Sequence, residues 1–230
     1  MSRRPNLRTR ATARKGATTT TSTAITSTKA TTPTKTPPAR PRVIKKERPL
    51  GREIWLDTAR QALIEEGTAG VEINKLAKRL RSSRGGFYWF FKDRAQLLDE
   101  LLAYWARTGT VLFERLLQNE THNGVEEYLA LTNLWIDEKE YDPKWDGAVR
   151  DWARTSATVR KVVQEVDQKR IAVLEQIFND LGYTGKEAHI RARITYYHQV
   201  GYYALGVQES QKERRALIPY YQKVLTGRDL

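Results

Sequence analysis

Cysteine is absent from this 230-residue chain, and with it any disulfide framework, thiolate metal site or cysteine nucleophile. That composition suits a reducing compartment, and a cytoplasmic location is the expectation. No run of about 18 apolar residues occurs, so no membrane span is expected. The N-terminus also lacks the apolar core of a secretory signal. Period-two alternation, the mark of half-buried strands, is missing, and so are internal repeats. The three histidines, His122, His189 and His198, are too scattered for a metal motif. Neither a phosphate-cradling glycine loop nor a nucleophile elbow is present. On one continuous helix, His198 and Glu209 would stand three turns apart, too far to pair. No enzymatic activity, cofactor or metal is therefore expected.

Acidic residues are almost missing from the first 49 positions, where 13 Lys/Arg face Glu47 alone. The net charge of +13 is thus an arm of +12 ahead of a nearly neutral body. A polyanion is the natural partner of such an arm, although the same composition also makes a solvated tail. Leu7, Ile25, Val43 and Ile44 are its sizeable apolar residues, too few to offset chain entropy, so residues 1–49 are expected to be a disordered basic arm. An organelle transit peptide shares this composition but needs an amphipathic helix, which Pro33, Pro37, Pro38 and Pro41 interrupt.

From Arg52 the pattern becomes helical. Trp55, Leu56, Ala59, Ala62 and Leu63 share one helix face, and Gly67 and Gly70 mark its end. A short helix follows over about 72–80, with Ile73, Leu76, Ala77 and Leu80 on one side. After a tight connection at Arg81-Ser82, a third helix is capped by Ser82 or Ser83. Further helices are expected at about 94–117, 125–138, 145–154, 157–181, 186–208 and 212–225, punctuated by Asn123-Gly124, Tyr141-Asp142-Pro143 and the Gly182–Gly185 turn.

Three helices in about 40 residues, two of them very short, suit a module whose last helix enters a DNA major groove with its N-terminal residues leading. Those residues are Ser83, Arg84, Gly85 and Gly86. Two glycines cost a helix roughly 2 kcal/mol relative to alanine, but they let backbone approach a base edge or a phosphate. Equally, Gly85-Gly86 reads as a loop, with the helix starting at Phe87.

Leu76-Ala77, then Ser83-Arg84-Gly85-Gly86-Phe87-Tyr88-Trp89-Phe90-Phe91, then Arg94 and Leu97-Leu98, resemble in one register the helix-turn-helix signature of the TetR family of regulators. The upstream Trp55-Leu56, Ala59 and Gly67 fit its first helix. Where the family has glycine and an apolar residue in the turn, this chain has Arg81-Ser82, so a left-handed conformation there would strain Arg81. The resemblance implies that Arg84, Gly85 and Gly86 face bases. It implies that Ser83, Tyr88, Trp89 and Lys92 hold phosphates, joined by Arg52 and Arg81. Phe87, Phe90 and Phe91 are read as core. Farther on, Asp146–Ala153 and Val166-Asp167-Gln168-Lys169-Arg170 resemble recurring segments of one branch of that family.

The implied fold is all-α: a helix-turn-helix domain over residues 50–97 and a helical-bundle regulatory and dimerisation domain over 98–230. The implied function is sequence-specific binding of double-stranded DNA at a near-palindromic operator by a homodimeric transcription regulator, a repressor released by a small-molecule effector. Small residues Gly201 and Ala204, with Ile190, Ile194, Tyr197 and Leu205, suit pairing of the penultimate helix. Trp105, Trp135, Trp152, Tyr197, His198 and Tyr202 are the candidate effector-site residues. The alternative is a sequence-neutral DNA-compacting protein driven by the arm. If the arm adds an electrostatic term to a specific core, deleting residues 1–49 should flatten the dependence of log affinity on log salt; an unchanged slope in a salt titration excludes the arm from DNA binding.

Overall fold

The computed structural model describes residues 51–118 and 123–230. The basic arm expected over 1–49, and His122, lie outside the described residues. Helices account for most of the described chain and no strand occurs among its residues. In chain order they are α1 (Arg52–Glu66), α2 (Ile73–Arg79), α3 (Arg84–Tyr88), α4 (Arg94–Glu114), α5 (Gly124–Asp137), α6 (Pro143–Thr155), α7 (Ala157–Asp180), α8 (Gly185–Ala204) and α9 (Gln211–Thr226). Short 3₁₀ turns follow α1 and α4. Among the described residues, no helix is long and apolar enough to cross a membrane.

Most of these helices start where a side chain accepts a hydrogen bond from an otherwise orphaned backbone N–H. Asp93 accepts from Gln96 N at 2.9 Å, and Asp142 accepts from the N–H groups of Lys144 and Trp145, with Pro143 in the first turn. Asn123 with Glu126 and Ser210 with Glu213 form reciprocal capping boxes. The penultimate helix is shorter than its sequence pattern suggested. It ends at Ala204, and Gly206 at φ 64 turns the chain back towards α9.

Two apolar cores result. Trp55, Leu63, Phe87, Leu97 and Leu101 of the first four helices, with Phe91 between α3 and α4, pack with Trp145 and Val149 of α6 and Val159, Val163 and Val166 of α7. Phe113, Tyr128, Leu131, Trp135, Leu174, Phe178 and Tyr196 form the second. α7 runs through both, and between Val166 and Val173 it places Arg170, which is 2% exposed.

A guanidinium in that position is tolerable only if it is fully paired. Arg170 donates to Asp146 Oδ1 at 2.9 Å, to the Gly109 carbonyl at 3.2 Å and to Tyr196 Oη at 3.3 Å. Arg150 completes the set, donating to Asp146 at 2.7 Å and bidentately to Asp167 at 2.7 and 3.0 Å. Burial works to raise the Asp146 carboxyl pKa, yet the two guanidinium groups outweigh it and hold the acid below its usual range. Its contribution to stability is therefore present above the unfolded-state pKa and is lost as pH falls through the folded value. One network thereby ties α4, α6, α7 and α8.

Gly109 is what makes room for it. A Cβ there would lie 2.3 Å from Arg170 Nη2. Gly109→Ala should push the guanidinium off its partners and destabilise the fold by about 3 kcal/mol, read as a lowered denaturant midpoint; a change within about 0.5 kcal/mol would show that the network repacks freely.

Candidate nucleic-acid interface

The helix-turn-helix is built around Trp55 and Phe87. Their rings meet edge to face with centroids 5.4 Å apart, and Phe91 stacks on Phe87 at 5.3 Å. Phe90 packs partly buried against the same cluster, so the aromatic residues read as core occupy it. Arg94 clamps the base of the unit, donating to the carbonyls of Val71 and Thr68, each at 2.6 Å.

The turn between α2 and α3 closes as a left-handed helix C-terminus. Arg81 N donates to Lys78 O at 3.1 Å and Ser82 N donates to Ala77 O at 2.8 Å, with Arg81 at φ 51. The strain expected for an arginine in glycine's place is thus present. Arg81 is exposed beside the start of α3. Ser83 is the cap of α3, accepting from Gly86 N at 3.2 Å. Gly85 and Gly86 lie inside the helix rather than in a loop ahead of it.

The two glycines face different ways. Gly85 is exposed, and a Cβ there would meet only the Ser83 hydroxyl at 3.5 Å. Gly86 is half-buried, and a Cβ there would lie 2.6 Å from the Ser82 hydroxyl. Gly85 therefore presents open backbone, while Gly86 permits close packing. Arg84, Tyr88, Trp89 and Lys92 all reach solvent; Trp89 is 86% exposed, a large apolar surface that nothing within the fold explains. Arg52 instead bridges α1 and α4, pairing with Glu100 and lying 4.8 Å over the Phe91 ring.

Charge sharpens this picture. Arg79 is occupied by Glu65 and Glu66. Lys78, Arg81, Arg84 and Lys92 are exposed and make no ion pair among the described residues. Four unneutralised cations around one short helix suit phosphate oxygens.

The candidate effector residues do not form one pocket. Trp105 is buried and lines a cavity of about 460 Å³ beside Arg170, bounded also by Arg60 of α1 and Trp145 of α6. Trp135, His198 and Tyr202 come together on a smaller cavity between α5, α8 and α9. Trp152 and Tyr202 line an open groove. Tyr197 is half exposed on the outer face of α8. Glu209 and His198 both line the smaller cavity, since the chain turns after α8, but they make no hydrogen bond or ion pair with each other among the described residues; Glu209 accepts from Tyr202 Oη at 3.1 Å. Sequence reading missed Gln199 and Gln222, which line the same cavity. Their polarity on otherwise inward-facing registers, Thr195–Gln199 and Gln222–Thr226, was the available signal.

Replacing Arg81 by glycine tests the turn. Arg81→Gly should raise stability by about 1 kcal/mol through relief of the left-handed conformation. It should also lower the salt slope of DNA binding by about one phosphate contact. Loss of stability in thermal unfolding would mean that Arg81 is held by something other than backbone geometry.

Residues 56–101 match the family described as bacterial regulatory proteins, tetR family. No curated protein matches the sequence. Solved structures share its fold. The reduced form of NemR from E. coli is 19% identical with a TM-score of 0.60, over 75% of this chain and 96% of that one. GusR of Salmonella enterica is 18% identical with a TM-score of 0.61, over 76% and 93%. The fatty acid degradation regulator FadR from Bacillus halodurans is 16% identical with a TM-score of 0.58, over 76% and 94%. The helix-turn-helix of this chain, over residues 56–101, matches that of the tetR family of bacterial regulatory proteins, and the all-helical fold behind it is shared with these solved structures.

Proposed function

We propose that the protein is a homodimeric, sequence-specific repressor that binds a near-palindromic operator and is released by a small-molecule effector. The observation that carries DNA reading is the exposed surface of α3, where Arg84, Gly85, Tyr88 and Trp89 stand clear of the core amid unpaired cations. Arg84 and Gly85 reach base edges in this reading. Gly86 lets the helix sit close to its own domain. Ser83, Arg81, Tyr88, Trp89 and Lys92 position the helix on phosphates, and Arg52 holds α1 against α4 at the rim of the contact.

Dimerisation is supported by a continuous apolar stripe. Ile190, Ile194 and Tyr197 of α8 and Leu205 at its C-terminal end lie exposed, about 46, 52, 50 and 82% accessible, with Gly201 open between them. Tyr220 and Val224 of α9 are exposed too. Large apolar residues repeated along one helix face mark a surface that a second copy covers. A two-fold dimer calls for a two-fold operator.

Release by an effector requires a link from bundle to DNA head. Arg60 of α1 pairs with Asp142 at the start of α6 at 3.1 Å and lies over the Trp145 ring at 5.4 Å. A ligand that favours one placement of α6 thereby favours one placement of α1, and shifts the DNA-competent population.

The test is a footprinting titration on DNA upstream of the protein's own gene, at roughly physiological salt with excess competitor. A protected inverted repeat is expected. Arg84→Ala should weaken it by about 1–3 kcal/mol and relax preference at one base step per half-site. Diffuse protection that disappears with salt would overturn the reading in favour of sequence-neutral compaction.

A further inference from the structure

Positive charge in residues 1–49 is not spread evenly. Six Lys/Arg fall within 3–15, the thirteen residues 16–28 carry no charge, and seven Lys/Arg fall within 29–48. The second group adjoins the DNA-binding head in sequence, since Arg48 stands four residues before Arg52 at the start of α1. Nothing in the function proposed above uses it.

Where α1 begins decides what that group can reach. Arg52 pairs with Glu100 and lies 4.8 Å over the ring of Phe91, the residue before Lys92. The chain therefore enters the head beside the segment that follows the recognition helix. With α3 in a major groove and Lys92 on its bordering phosphates, the next groove across that strand is the minor one. The two groove centres are half a duplex turn apart, about 17 Å. A chain spans at most about 3.3–3.6 Å per residue. Lys46, six residues before Arg52, thus lies within about 20 Å of the start of α1, and Arg42 within about 35 Å.

The chemistry of the group suits that groove. At about 6 Å wide it excludes a helix but admits single side chains. A·T tracts narrow it further and deepen its negative potential, which attracts arginine. A guanidinium is planar and more weakly hydrated than an ammonium, so it enters at less cost. Arg40, Arg42 and Arg48 supply three, opposed by Glu47 alone. N-terminal arms of other DNA-binding modules read A·T against G·C in this way, because only the guanine 2-amino group separates the two there.

We propose that the head-proximal basic residues, Arg40 and Arg42 foremost, occupy the minor groove adjoining each half-site and add a preference for A·T pairs to the sequence read by α3. The placement beside a half-site rests on the DNA reading proposed above; the minor-groove preference does not.

The experiment measures affinity of the full chain, and of the double variant Arg40→Ala with Arg42→Ala, by fluorescence anisotropy. The duplexes carry the footprinted site with A·T, G·C or inosine·C pairs on either side of each half-site. Inosine·C keeps the major-groove pattern of G·C and lacks the 2-amino group, so it isolates the minor groove. The full chain should bind A·T and inosine·C flanks at least fivefold more tightly than G·C flanks. The double variant should bind all three within twofold. Equal affinity of the full chain for all flanks, inosine·C behaving as G·C, or a preference that the variant keeps would overturn the proposal. A uniform loss in the variant without any flank preference in the parent would also overturn it, leaving phosphate neutralisation alone. Alternating copolymers of A·T, inosine·C and G·C, which hold no operator, are titrated beside them and decide the matter if no discrete footprint exists. The same order, abolished in the variant, would then support the groove preference while the operator reading fails; no order would overturn it.

Discussion

The ion pair between Arg170 and Asp146 is the constraint around which the bundle is arranged. Burying a guanidinium at 2% exposure is costly unless its donors are met, and here they are met from α4, α6 and α8 at once. Apolar packing alone tolerates helices sliding by a fraction of a turn. A guanidinium that must reach a carboxylate, a carbonyl and a phenol does not. The same helix that supplies the Gly109 carbonyl begins at Arg94, which clamps the helix-turn-helix to its first loop. The placement of the DNA-binding head is thus referred, through α4, to a polar network inside the bundle.

Around that reference the head is stiff and the surface it presents is chemically simple. Trp55, Phe87 and Phe91 hold α3 from beneath, and Ser83 caps it. What remains outward is a short run of exposed side chains and the bare backbone of Gly85. Within the head, Arg81 is held left-handed at φ 51, as Glu138 is at the end of α5.

Most of the helices could be read from the sequence, because their signals are local. Asn123 with Glu126, Asp142 before Pro143, and Ser156 each announce a helix start, and apolar spacing gives its face. The helix-turn-helix was legible for a second reason: Ser83, Gly85, Phe87, Tyr88, Phe91 and Arg94 agree with one signature in one register. The bundle interior was not. Asp146, Arg150, Asp167 and Arg170 look like surface charges until four helices bring them together. The end of α8 was misplaced because Leu205 and Val207 continue an apolar pattern past the residue where Gly206 turns the chain. Cavities formed by residues far apart in sequence, such as Trp135, Gln199 and Gln222, leave no local trace beyond polarity on an inward face.

The central claim is that two copies of this chain hold their recognition helices one DNA turn apart. Absence of cysteine makes a direct measurement simple: Asn74→Cys introduces one nitroxide label per chain, exposed on α2 and outside the proposed phosphate contacts. Pulsed dipolar spectroscopy on the labelled chain, with DNA from the footprinted site, should give a narrow distance of about 34 Å between labels, the repeat of one duplex turn. Absence of any dipolar coupling at concentrations that bind the DNA, or a broad distribution that DNA does not sharpen, would contradict the two-fold dimer and the mode of reading built on it.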